Sequence, residues 1–172
     1  MGRCAKHRWA GKKTGPNPTD RAKSGTKHSV IVESHGLPLG IVVAGANCPD
    51  LLLLAETLDA IVIPRPTPGP GGNNVCLDKG YEAPRCYAAL AERGYVEHIS
   101  TKHKAKQPQR EIPGYRPRRW VVEACNSWFN RFRKILVSFE KLERTRLALM
   151  HLACAYIVFH RMRSFTTRAD VS

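Results

Sequence analysis

The hydrophobic pattern divides the chain into short alternating runs and longer helical ones. HSVIVES at 28–34 and LGIVVAG at 39–45 are β-branched runs joined by a short HGLP connection, which predicts an antiparallel hairpin. From Asn47 to Ala60, Leu51 and Leu54, then Leu58 and Ile61, recur at helical spacing, with Asp50 placed to cap. VCLDKGY at 75–81 reads as a short buried strand ending in a carboxylate, followed by a helix from about Pro84 to Arg93 that stops at Gly94 and by a strand, YVEHIS, at 95–100. After Pro117, Trp120, Ala124, Trp128, Phe132, Ile135 and Phe139 are three or four residues apart. They predict one long helix whose apolar stripe buries both tryptophans in the core. A last helix spans roughly Leu142 to Arg163 and is expected to be buried.

Between these runs lie segments that break regular structure. Residues 1–27 form a basic, turn-rich and loop-like lead-in containing Pro16 and Pro18. Residues 63–74, IPRPTPGPGGNN, predict a flexible surface connection, and 101–118, interrupted by Pro108, Pro113 and Pro117, a mobile loop. No internal repeat is visible. The order of strands and helices gives an α/β class in which helices flank a sheet, and 172 residues suit one domain.

Charge adds a partner class. The formal net charge is +14, from 28 lysines and arginines against 14 acids. Such a field draws polyanions by releasing their counterions, so nucleic acid is the expected partner, with a basic ribosome-associated protein or a merely solvated surface as the competing readings. The distribution is uneven: residues 29–100 hold four basic and eight acidic side chains, while 1–28 hold eight against one and 101–146 thirteen against four. Carboxylates between two basic flanks match an enzyme that holds metal ions next to phosphates. The six cysteines are scattered without a CxxC pair, which argues against zinc and for reduced, mostly buried thiols in a cytoplasmic protein. The longest apolar run, Leu147 to Phe159, contains His151 and is shorter than the ~20 residues that span a bilayer, so no membrane partner is expected.

Two acids stand out. Asp78 ends a buried strand, where a carboxylate is costly unless a cation meets it; a metal ion would do so, and so would a turn cap or a pair with Lys79. Glu123 is the single acid in a polar stripe formed by Arg119, Glu123, Asn126, Asn130 and Lys134, where it either binds a cation or pairs with Arg119 on a solvated face.

The strings TGPNPTDRAKSGTKHSV, GIVVAGANCPD, CLDKGYE and RRWVVEACNSWFNRFRKILVSFEK resemble the blocks of DDE transposases of the IS-five group, within the larger IS-four-like superfamily, and the likeness runs from about Cys4 to Phe159. Its most specific part is LDKGY followed by RWVVE and SWFNRFR. The resemblance implies a ribonuclease-H-like mixed sheet flanked by helices, with two carboxylates and a third holding two magnesium ions, or manganese in their place. It makes Asp78 the second acid and Glu123 the third, both catalytic and metal-binding. It implies DNA as partner, both element ends and target, with Arg116, Arg118, Arg119, Asn130, Arg131, Arg133 and Lys134 meeting phosphates. A homo-oligomer, or association with a full-length transposase, fits the same family.

The sequence departs from the family in several places. The place of the first aspartate falls on Met1, followed by Gly2, so the chain is expected to be a partial catalytic domain truncated at its N-terminus, its first strand missing and its isolated activity doubtful. Loss of that strand would leave its neighbour partly unpaired. Of the family's tyrosine, arginine, glutamate and lysine signature, Arg119 is in place ahead of Glu123, Tyr115 lies one residue too far upstream, and the basic position falls on Asn130 or Arg131. Asn126 replaces a common histidine. The expected function is metal-dependent strand cleavage and strand transfer in DNA transposition. The alternative is a catalytically dead fragment that binds DNA or inhibits a full-length enzyme.

Overall fold

The computed structural model describes residues 3–7, 14–18, 21, 23–68, 72–99, 119–138, 140 and 142–169. In chain order the elements are β1 (Arg3–His7), β2 (Gly15–Pro16), β3 (Ser24–Val32), β4 (Pro38–Gly45), α1 (Asp50–Asp59), β5 (Asn73–Leu77), α2 (Pro84–Glu92), β6 (Tyr95–Ile99), α3 (Arg119–Phe129), the single-turn α4 (Arg133–Leu136), β7 (Val137–Ser138) and α5 (Glu143–Ala169). A 3-10 turn, Lys79–Tyr81, follows β5. The class is mixed α/β, as the sequence predicts.

β3 and β4 form the expected hairpin, in register from Thr26 opposite Gly45 to Ile31 opposite Gly40, with a shift before Val32 pairs Pro38. Its turn is held by the Glu33 carboxylate, which accepts the backbone N–H groups of His35 at 2.7 Å and Leu37 at 3.0 Å, and by Gly36 at a φ of +89°. A side chain at Gly36 would also press on Trp128 and Val121 at 3.2 Å, so this turn seats directly on α3.

The two faces of β3 lead to two cores, because strand side chains alternate. Ser29 and Ile31 point toward α1: the Ser29 and Thr57 hydroxyls bond at 2.8 Å, and Ile31 packs on a cluster of Leu54, Leu58, Val75, Cys86 and Leu90. Val30 and Val32 point the other way, with Ile41 and Val43 of β4, onto Cys125, Phe129, Met150, Ala153 and Ile157 of α3 and α5. β5 and β6 pair in parallel as a separate two-stranded sheet. Val75 and Leu77 of β5 and Tyr95 of β6 meet the α1 and α2 core, so both sheets share that layer.

Several local readings hold closely. α2 ends at Glu92 with Gly94 at a φ of +67°, the left-handed residue that stops a helix. The Arg93 guanidinium grips Asp59 through two bonds of 2.7 Å, joining the end of α2 to the end of α1. Other readings change. The lead-in expected to be loop-like holds β1 and β2, because Gly25 and Thr26 extend β3 and offer both of its edges as ladders. On the β1 side that ladder covers Gly25 to His28 and ends at Arg3; among the described residues, Ser29 to Val32 pair with β4 alone. β5 begins at Asn73, inside the expected 63–74 connection, and 69–71 and the 101–118 loop lie outside the described residues.

The long helix after Pro117 is broken. α3 stops at Phe129, Phe132 takes an extended conformation, and Val137–Ser138 pair in parallel with Lys6–His7. A tertiary strand pairing therefore overrides the helical periodicity, and Val137, being β-branched, suits it. Trp128 is half-buried beneath the Arg161 guanidinium, 4.7 Å from its ring, but Trp120, expected in the core, is 62% exposed. The buried face of α3 runs through Val121, Cys125, Asn126 and Phe129, one residue on from Trp120, which leaves Trp120 outside the core. α5 is likewise covered on one side only. Cys86 and Cys125 are buried, Cys48 and Cys154 half-buried and Cys76 exposed, so burial of the thiols is partial. Desolvation pushes the Cys125 and Cys154 thiols up to about 12, which leaves them unreactive. No helix among the described residues is long and apolar enough to cross a membrane.

Candidate active site

Four consecutive polar or charged residues of β3, Thr26 to Ser29, are buried. Burial is costly for such groups unless each finds a partner, and here the partners fix neighbouring elements. Toward α1, the Lys27 ammonium donates to the Asp50 carboxylate at 2.7 Å. Asp50 was expected to cap α1, but Pro49 occupies that position and no side-chain cap bond forms. The acid in the first turn serves Lys27 instead, beside the positive end of the helix. Next along this face, Tyr81 from the 3-10 turn shares the Ser29 hydroxyl; burial, then the Asp50 charge and more weakly that of Asp78, pushes its phenol up to about 12. Tyr81 therefore stays protonated and can donate.

Asp78 sits between β5 and that turn, half-buried, with a φ of −70° and a ψ of 159°. It makes no side-chain cap bond to the turn, which removes one of the bland explanations for a carboxylate at this place. Val75 and Leu77 enter the α1 and α2 core, and Asp78 follows directly where the strand gives way to the turn.

On the other side of β3, His28 Nε2 lies 3.3 Å from Asn126 Oδ1, and its ring tilts against Phe129 at 5.4 Å. This bond fixes where α3 crosses the strand. Asn126 is thus a buried structural residue and not a member of a solvent-facing polar stripe. Glu123, three residues earlier, lies about 60° around the helix from Asn126 on an exposed flank, near exposed Trp120. α3 covers the face of β3 that points away from α1, while Asp78 follows β5 of the separate two-stranded sheet.

A family model, transposase DDE domain, matches residues 3–158. The chain belongs to the transposase DDE domain family. It is 35% identical over 171 residues to a putative transposase for insertion sequence element IS402 from Burkholderia cepacia, a match covering 96% of this chain and 75% of that protein. No solved structure gives a significant match. A transposase is an enzyme acting on DNA, which accounts for the basic charge.

In this transposase domain the expected phosphate-contacting residues do not form one stripe. Arg131, Arg133 and Lys134 are exposed and Asn130 is half-buried, but all lie at or beyond the break after α3. Arg119 begins α3, while Arg116 and Arg118 lie outside the described residues. Among the described residues no group of three or more His, Cys, Asp and Glu side chains stands close enough to hold a metal ion. The Lys27–Asp50 ion pair and the buried phenol of Tyr81 were not anticipated from sequence. Their signal was present in the TKH, CPD and KGY strings, but nothing local tells that Lys27 and Asp50 meet.

The weight carried by the Asn126 bond is testable. Asn126→Ala removes the side-chain bond to a buried imidazole and should lower stability by about 1–3 kcal/mol in urea unfolding. An unchanged midpoint would show that α3 is placed by apolar packing alone.

Proposed function

We propose that the chain is the catalytic portion of an insertion-sequence transposase, with a ribonuclease-H-like arrangement in which Asp78 and Glu123 are metal ligands. The observation that supports this reading is the match to the transposase DDE domain over residues 3–158, together with a half-buried, uncapped carboxylate at the end of β5 and an exposed one on α3. Oxygen donors alone, from acids that are half-buried and exposed, fit a hard divalent ion such as magnesium, or manganese in its place. When bound, two such ions activate the attacking oxygen and stabilise the leaving one in an in-line phosphoryl displacement.

The chain's own residues supply position and charge. Asp78 extends from a strand anchored by Val75 and Leu77 in the core, so its carboxylate is placed with little conformational freedom. Glu123 inherits its position from the Asn126 bond to His28 and from Cys125 and Phe129 in the opposite core. Arg131, Arg133 and Lys134 meet the DNA backbone and set its register without reading bases, with Arg116, Arg118, Arg119 and Asn130 assigned the same role. In the cleavage step water attacks a phosphorus at the element end and the 3′ hydroxyl leaves; in transfer that hydroxyl attacks a target phosphorus, joins to its 5′-linked phosphate and displaces the target strand's own 3′ hydroxyl. The place of action is the cytoplasm, on the chromosome of the host cell. The first carboxylate of the set is not assigned to a residue here.

Manganese binding followed by electron paramagnetic resonance tests the ligands. Asp78→Asn and Glu123→Gln should each weaken binding about tenfold or more, whereas unchanged affinity in either variant would remove that residue from the site. The cationic surface has a separate readout: replacing Arg131, Arg133 and Lys134 by Ala should flatten the salt dependence of duplex DNA binding by about 2–3 in logarithmic slope. An unaltered slope would place the DNA elsewhere.

A further inference from the structure

The outer face of α5 carries a surface that the active site does not use. Met150, Ala153 and Ile157 point into the core with Arg146, while Leu152, Tyr156, Phe159 and Met162 are 57–67% exposed. A helix apolar on both sides has a second face to cover. Thr145, Ala148, Leu152, Ala155, Phe159 and Met162 follow one another at spacings of three and four, the 3.5-residue repeat of a helix that packs on another helix.

We infer that this seam is the interface between two copies of the chain, whose α5 helices pack antiparallel across a two-fold axis. The self-complementarity lies in residue size. In an antiparallel register centred between Ala153 and Cys154, Leu152 faces Ala155 of the second copy, Phe159 faces Ala148 and Met162 faces Thr145, each large side chain opposite a small one. Parallel packing would set Phe159 against Phe159 and Ala155 against Ala155, alternating clashes with voids. It would also align the two macrodipoles.

Size and charge favour a second copy over other occupants. The seam's three large side chains, of which about three fifths is exposed, with the two alanines, offer roughly 500 Å² per copy, so the pair buries on the order of 1,000 Å², the lower bound for a specific interface. The strip from Thr145 to Met162 is about 27 Å long. No seam position is charged on a protein of net charge +14, so two like-charged copies approach there at the least electrostatic cost, and a nucleic-acid backbone gains nothing from it. This inference does not depend on the metal ligands.

Sedimentation equilibrium of the whole chain without DNA tests it. The expected result is a reversible equilibrium between 19.2 kDa and twice that mass at micromolar concentration. Leu152→Glu should weaken association at least about 30-fold. Because these side chains are exposed in the single chain, circular dichroism and the unfolding midpoint should not change. Phe159→Lys and Ala148→Glu should each dissociate the pair, and the double variant should restore it, since only the antiparallel register brings the introduced charges together. A wild-type chain that remains a monomer, or a dimer indifferent to Leu152→Glu, overturns the interface. A dimer that the double variant fails to restore overturns the register.

Discussion

The alternation of β3 is the constraint on which the rest of the molecule depends. Three consecutive side chains, Lys27, His28 and Ser29, leave the strand on alternate sides and bind Asp50, Asn126 and Thr57. Each is buried, and an unpaired buried group costs about 1–3 kcal/mol, so the strand cannot slip by a residue without losing all three bonds. α1 and the turn after β5 are thereby set on one face and α3 on the other. Asp78 and Glu123 are presented by elements that this one strand positions.

Apolar packing reinforces the same division. Ile31 with Leu54, Leu58 and Leu90 fills one layer, while Val30, Ile41, Phe129 and Met150 fill the other. Gly40 permits the close approach this requires, since a side chain there would meet the backbone of Ala60 and Ile61 at 2.8–2.9 Å. The aromatic and basic residues beyond Phe129 leave the helix and turn toward β1, which separates Arg133 and Lys134 from the face that carries Glu123. Acid and base thus reach the surface from neighbouring but distinct elements, the arrangement that metal-assisted chemistry on a phosphate backbone calls for.

What the sequence revealed and what it concealed follow from the range of the interactions. The hairpin, α1, α2 with Gly94, and β6 are written in local pattern and were legible. The break after α3 was not, because no glycine or proline marks it; Val137 pairs with Lys6, well over a hundred residues away. The same range hid the strand in the lead-in, the ion pair of Lys27 with Asp50, and the burial of Asn126. Asp78 was legible as a carboxylate at a strand end and Glu123 as an acid on a polar flank, yet their shared role came from the family resemblance, since spacing alone left a cap and a surface ion pair open. The apolar run from Leu147 to Phe159 predicted a buried helix, but the exposure of Leu152 and Phe159 depends on how α5 is docked.

The central claim is that Asp78 and Glu123 face a common divalent cation. Replacing that ion by ferrous iron and generating hydroxyl radicals with ascorbate and peroxide would break the backbone close to wherever the metal sits. Fragments ending near residue 78 and near residue 123 in the same sample, suppressed together by excess magnesium, are the predicted result. Breaks at one position without the other, or at neither, would contradict the account.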